Sequence, residues 1–290
     1  MHALKRTGWT VFIGMLPALI IYIGVALVPI GMSFYYSFFN WDGLSPMKFI
    51  GIDNYVSTLK DTIFWKGVQN NIFMMATGIF GQLPIGLFFA LLLNRSLKGI
   101  KLYRSMLFLP VVISAVIVSI IWGMVYKIES GLLNGLLSVV GLDAWKQDWL
   151  GSPKLGMLSV SITYIWQNYG FYMVIFLAAL QNISEEIKEA AVMDGAIGWK
   201  HFWYVTLPML KDTIWVTLIF SISNSFRVFD LIYVMTAGGP AHNTEVMTIY
   251  MYNNAFQNMN FGYGSAVSML ILLFSLIAIY AANQLTRRSQ

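Results

Sequence analysis

Long apolar runs alternate with short polar segments along this chain, and the runs have the length of membrane-crossing helices. A crossing takes about 20 helical residues. Six stretches meet that length, near Val11–Tyr36, Asn71–Leu93, Met106–Tyr126, Leu155–Leu180, Thr213–Met235 and Ala266–Gln284. Period-2 alternation is absent, which argues against a transmembrane β-barrel. Pro17, Pro29, Pro84 and Pro110 lie inside or at the edge of the runs. Within a membrane they predict kinks rather than stops, because neighbouring groups satisfy the freed carbonyls. The opening "MHALKR" has the look of a signal peptide. The apolar run from Trp9 towards Phe39 is too long for one, and no small-x-small site closes it, so it reads as a retained first helix. The expected architecture is all-α and polytopic, with six transmembrane helices and no linker between soluble domains.

Composition agrees with the pattern. Hydrophobic residues make up 58% of the 290 positions and charged ones 11%, with a mean hydropathy of +0.67. A soluble domain carries about 25% charged residues. Cysteine is absent, which excludes disulfides and thiolate metal sites. The net charge of +5 reports topology rather than nucleic-acid binding, because Lys and Arg concentrate on the cytoplasmic side. One set comprises Lys5 and Arg6; Arg95, Lys98, Lys101 and Arg104; Lys188, Lys200 and Lys211; and Arg287 and Arg288. The opposite side holds Lys48, Lys60, Lys66, Lys127, Lys146 and Lys154. The first set is denser and closer to helix ends, so both termini and the loop 184–211 are expected in the cytoplasm of a cell-membrane protein.

That loop carries "EAAVMDGAIGWKHFWYVTLPML", Glu189–Leu210. Ser184 is placed to cap a helix, and Glu185 and Glu186 in its first turn complement the helix dipole. Ile187, Ala190 and Ala191 predict a small, smooth apolar face, and Gly195 a stop. Trp199, Phe202, Trp203 and Thr206 then follow helical spacing, and Pro208 is expected to end the run. Read from the residues, this is a docking element on a stiff elbow, or else an ordinary interfacial helix between two spans.

The stretch resembles the "EAA" loop of permease subunits in binding-protein-dependent ABC importers, E-A-A-x-x-D-G-A followed by aromatics and L-P. Glu189, Ala190, Ala191, Asp194, Gly195, Ala196, Leu207 and Pro208 occupy those positions. Val205 stands where isoleucine is common, and Asp212 where a further proline is often found. "FIGIDNY" at Phe49–Tyr55, "SGLLNGLLSVVGL" at Ser130–Leu142, "FDLIYVMTAGGP" at Phe229–Pro240 and "GYGSAVSML" at Gly262–Leu270 are similar to the sugar-importing branch. Within it they look like the first permease of glycerol-phosphate and disaccharide importers. The terminal "LTRRSQ" lacks the glycine-rich tail of the companion permease.

The resemblance implies the ABC type-1 importer permease fold, with residues 68–285 as the permease domain after an N-terminal helix and loop over 1–67. It also implies that the loop couples the bundle to a cytoplasmic ATPase dimer, which hydrolyses the ATP. Further implied partners are a second permease and an extracytoplasmic solute-binding protein, and the implied mechanism is alternating access. The cargo would be a sugar or sugar derivative; another small solute such as a polyamine is the alternative, since polyamine permeases share the loop.

Polar and ionisable residues inside spans mark a pathway by default. The fourth run carries Tyr164, Trp166, Gln167, Asn168 and Tyr169, and the fifth carries Asn224, Arg227 and Asp230. Amides and aromatic faces suit sugar hydroxyls and C–H surfaces. A structural alternative has Arg227 and Asp230 neutralising each other, with the amides joining helices. Gln82 reads as packing. No phosphate loop, HExxH or GxSxG occurs, so no catalytic residue is expected here and the alternative of a membrane-embedded enzyme finds no support. His2, His201 and His242 are scattered, so no metal site or bound cofactor is expected.

Overall fold

The computed structural model describes residues 8–95 and 98–288, without the side chains of 8–10 and 285–288. His2, Lys5 and Arg6, and the side chains of Arg287 and Arg288, lie outside the described residues. The chain is helical almost throughout. Its helices are α1 (Val11–Tyr36), α2 (Asp53–Lys60), α3 (Thr62–Leu93), α4 (Ile100–Val112), α5 (Ala115–Val125) and α6 (Leu132–Val139). They continue with α7 (Gly156–Gln181), α8 (Glu185–Met193), α9 (Trp199–Met209), α10 (Lys211–Ser225), α11 (Asp230–Thr236), α12 (Met247–Tyr252) and α13 (Phe261–Arg288). Among the described residues the only strands are β1 (Phe39–Asn40) and β2 (Lys48–Phe49), antiparallel with Phe39 opposite Phe49.

Among the described residues three helices are long and apolar enough to cross a membrane: α1, α3 and the Phe261–Gln284 part of α13. Two bent pairs reach the same standard if each is one span, α4 with α5 at 94° and α9 with α10 at 66°. The helix α7 adds 26 residues, so six crossings are compatible with this set. Two expected spans need correction. Met106–Tyr126 is not one rod: Ile113 and Ser114 adopt extended backbone and split it. Thr213–Met235 is also broken, because α10 stops at Ser225 and a separate short helix starts at Asp230.

The chain forms two compact units. The first holds the residues up to Asp61 with Met251–Leu272. In it α1 is apolar on every side and leaves its most hydrophobic stretch unburied by the chain, as suits a helix facing lipid or another subunit. Asn54 donates from Nδ2 to the carbonyls of Ser37 and Phe39, both at 2.9 Å. Gly262 opens α13 against β1: its N–H donates to Trp41 O at 3.1 Å. A Cβ at Gly262 would sit 2.0 Å from Phe39 O. The glycine of the "GYGSA" segment is there because the two backbones touch.

The second unit holds Thr62–Tyr250 with the residues from Leu273. The helices α3 and α7 form its centre, where Leu83, Ala90 and Leu93 meet Tyr172, Met173, Phe176 and Leu180. At Gly86 a Cβ would lie 3.0 Å from Met173 N and 3.1 Å from Tyr169 O. The helix α4 approaches α7 as closely, since a Cβ at Gly170 would be 2.7 Å from Leu107 O. Small residues bring membrane helices together where apolar burial alone gives little drive.

Pro17, Pro29 and Pro84 lie inside helices that continue past them. A π-turn precedes Pro29 (Ile23–Leu27), Pro84 (Gly78–Gln82) and Pro208 (Phe202–Thr206). Each proline stands two residues past its turn. Proline lacks an N–H and its ring crowds the carbonyl four residues back; the wider turn makes room. At Pro208 the helix ends one residue on, at Met209, as the sequence led one to expect.

Candidate functional site

The elbow is built from α8, α9 and the five residues between them. Ser184 Oγ accepts from Ile187 N at 3.4 Å, and Lys188 pairs with Glu185 at 2.8 Å. Gly195 has φ +75°. Behind it, Gly195 N donates to Val192 O at 3.0 Å and Ala196 N to Ala191 O at 2.8 Å. These two bonds are the full Schellman motif, which satisfies the last carbonyls of the helix and fixes the exit of the chain. Gly198 turns the chain again with φ +60° and ψ −122°, a conformation that glycine reaches at little cost. Trp199 and Trp203 are exposed, and Phe202 lies edge-on to both rings. Thr206 is buried and its hydroxyl lies 3.1 Å from His201 Nδ1.

The expected smooth face is kept in part, with Ile187 and Ala190 exposed. Ala191 is 9% exposed and packs inward, while Glu189, Ala190, Asp194, Leu207 and Pro208 keep exposed or half-exposed positions. Further outward apolar surface comes from Met193, 86% exposed, and Ile197, 69% exposed. The sequence reasoning passed over both. Their signal was present: a methionine before the cap and an isoleucine between two glycines, at positions the helix cannot bury.

Buried amides bond the backbone at two breaks in the bundle, α4–α5 and α10–α11. Asn71 donates to Ser225 O at 2.8 Å and accepts from Met247 N at 2.9 Å. Gln167 reaches Ile113 O, at the split between α4 and α5, at 3.4 Å. Gln82, within its π-turn, donates to Tyr164 O at 3.0 Å, the packing role expected of it. Asn168 bonds the same carbonyl at 3.0 Å. A loop over Ala237–Glu245 is held by α3: Lys66 reaches Ala241 O and Asn243, and Asn70 reaches the carbonyls of Asn243 and Glu245. Within that loop His242 pairs with buried Glu245.

The pathway candidates divide into two groups. Tyr164, Gln167 and Tyr169 are buried in this chain, Asn168 and Asn224 are half-buried, and Trp166, Arg227 and Asp230 are exposed. Trp166 lies edge-on to Trp122 at 5.6 Å. Among the described residues no ion pair joins Arg227 to Asp230. Arg227 lies in the gap between α10 and α11 and Asp230 opens α11, so helical i, i+3 adjacency does not apply to them, and exposure removes the need for mutual neutralisation.

Over residues 82–290 the sequence matches the family of binding-protein-dependent transport system inner membrane components. The chain belongs to this family of importer permeases. It is 34% identical to a probable ABC transporter permease protein of Pyrococcus horikoshii, over 91% of this chain and 94% of that one. It is 34% identical to the lactose transport system permease protein LacF of Rhizobium radiobacter, over 97% of each. The fold matches a crystal structure of a bacterial ABC transporter involved in import of the acidic polysaccharide alginate. That match has a TM-score of 0.84 and 25% identity, covering 97% of this chain and 96% of the other. As a permease the chain moves solute across the membrane and is not an enzyme. The family match begins at Gln82, inside α3, so the π-turn and Pro84 lie at its leading edge.

Proposed function

We propose that this permease carries a sugar or sugar derivative, delivered by an extracytoplasmic binding protein, and that α8 with its elbow docks on a cytoplasmic ATPase. Several relatives point to sugars by name: LacF to lactose, and the Thermococcus litoralis permease protein MalF, 32% identical, to trehalose and maltose. The observation that carries the docking role is the elbow itself. A nine-residue helix with a locked exit presents Met193 and Ile197 to the outside, where the chain has nothing to cover them. The full assembly has a second permease and an ATPase dimer, both termini cytoplasmic. Trp166, Arg227 and Asp230 line the substrate pathway, with Asn168 and Asn224 beside them and Tyr164, Gln167 and Tyr169 supporting from behind.

The test is ATPase co-purification and binding-protein-stimulated hydrolysis in proteoliposomes. Ala190→Trp and Gly195→Pro should leave the permease inserted while the ATPase dissociates or stops responding to loaded binding protein. Met193→Asp should do the same, by placing a charge at an apolar contact. Glu189→Ala should be milder, because a partly exposed charge contributes only about 0.2–1 kcal/mol. Full stimulation and normal uptake with Ala190→Trp would reduce the elbow to a connector.

A further inference from the structure

A cavity of about 960 Å³ opens between the C-terminal half of α3, the end of α7 and the elbow. Its apolar lining includes Leu87, Phe88, Leu91, Trp199 and Phe202. Its polar lining includes Arg95, just past the end of α3, with Glu185, Lys188 and His201. Lys188 is already matched by Glu185. Arg95 is exposed, and no carboxylate among the described residues pairs with it. Basic residues continue beyond it at Lys98, Lys101 and Arg104. Arg104 donates to Leu93 O at 3.4 Å, at the C-terminus of α3, and its buried Nε has no partner.

An apolar slot with an unmatched cation at one end fits an amphiphile with an anionic head. The depth fits as well, because α3 is of spanning length, its last apolar residues form the wall, and the cation follows directly. Basic pockets between helices at the cytoplasmic face are suited to anionic lipid headgroups. Trp199 adds a ring of the kind that settles at the headgroup level. A water-soluble anion would use Arg95 and leave the apolar walls unmatched.

We propose that this cavity binds an anionic phospholipid, its phosphate at Arg95 and an acyl chain along Phe88 and Leu91, against the wall that carries the elbow. The assignment of the lipid to the inner leaflet rests on the cytoplasmic placement of the elbow proposed above. Lipid seated there contacts α3, α7 and α9 together, so lipid composition would set how firmly the elbow is held.

The experiment uses the purified importer complex in detergent, supplied with dioleoylphosphatidylglycerol or dioleoylphosphatidylcholine and followed by native mass spectrometry. The wild type should retain phosphatidylglycerol about fivefold or more over phosphatidylcholine, the preference expected from one basic residue at the surface. Arg95→Gln should abolish that preference while leaving phosphatidylcholine retention unchanged. Phe88→Ala should lower retention of both lipids. Both positions are exposed, so the fold should tolerate either change. Equal retention of the two lipids by the wild type, or an undiminished preference in Arg95→Gln, would overturn the proposal. Displacement of phosphatidylglycerol by millimolar inorganic phosphate would overturn it too, by making the site one for a free anion. The detergent assay has no sidedness, so a negative result here is separate from any failure of the cytoplasmic placement.

Discussion

Gly195 shows how one residue sets the geometry of the proposed docking element. A Cβ there would meet nothing within 4 Å, so space does not require glycine; the φ of +75° does. Alanine in the left-handed region costs roughly 1–2 kcal/mol. Gly195→Ala should therefore weaken the elbow partially, with Gly195→Pro abolishing coupling, and graded ATPase stimulation would read the difference. Asp42 makes a comparable local turn. Its carboxylate accepts from the N–H groups of Ser45 at 2.7 Å and Leu44 at 2.9 Å, and from the Ser45 hydroxyl at 2.7 Å. The Ser45 N–H foremost, then that of Leu44 and the Ser45 hydroxyl, lower its pKa from 3.8 to about 2. A depressed carboxyl supports the turn fully above the ordinary value and loses that support as pH falls through about 2. Carboxyl NMR of labelled protein should give a midpoint near that value, and Ser45→Ala should move it part of the way back.

At the scale of elements, broken helices need partners for the backbone groups they release, and side-chain amides supply them. Asn71→Leu should leave Ser225 O and Met247 N–H unpaired in the interior, at about 1–3 kcal/mol for each group. Thermal unfolding in detergent should fall accordingly, and an unchanged midpoint would mean that other groups fill in. Gly170→Leu should also lower it, because Leu107 O and Phe108 Cα occupy the space. The positions of helices were legible in the sequence through hydrophobic runs, and the kinks through Pro29 and Pro84. The elbow could be read down to its cap, Ser184, and its stop, Gly195. The breaks were hidden, because Ile113 and Ser114 are apolar and small, and nothing in the local pattern marks an extended pair. The partner at the α4–α5 break is Gln167, 53 residues past Ser114, a tertiary contact with no local signature. Ala191, expected on the outward face, is 9% exposed instead.

At the scale of the molecule, charge placement and topology can be checked directly because the chain has no cysteine. A Cys at position 201 should resist an impermeant reagent applied outside intact cells and react in inverted vesicles. Labelling from outside would reverse the arrangement. Arg227 and Asp230, exposed and unpaired with each other, should behave as independent contributors. Arg227→Ala and Asp230→Ala should combine in uptake with a coupling no larger than about 0.5 kcal/mol. A strong coupling would show that assembly brings the two together.

The helix α3 has a use beyond packing. Its 32 residues reach from the clamp on the Ala237–Glu245 loop to the apolar wall beside the elbow, about 48 Å at about 1.5 Å per residue. Ile72 and Leu92 are exposed on either side of the Gly78–Gln82 π-turn. Spin labels at these two positions would be about 30 Å apart along the axis. The helix thereby becomes an internal ruler with one graduated joint. A separation that stays constant through the transport cycle calibrates it as a rigid rod. A separation that shortens measures the flexing of five residues, without interference from any native thiol.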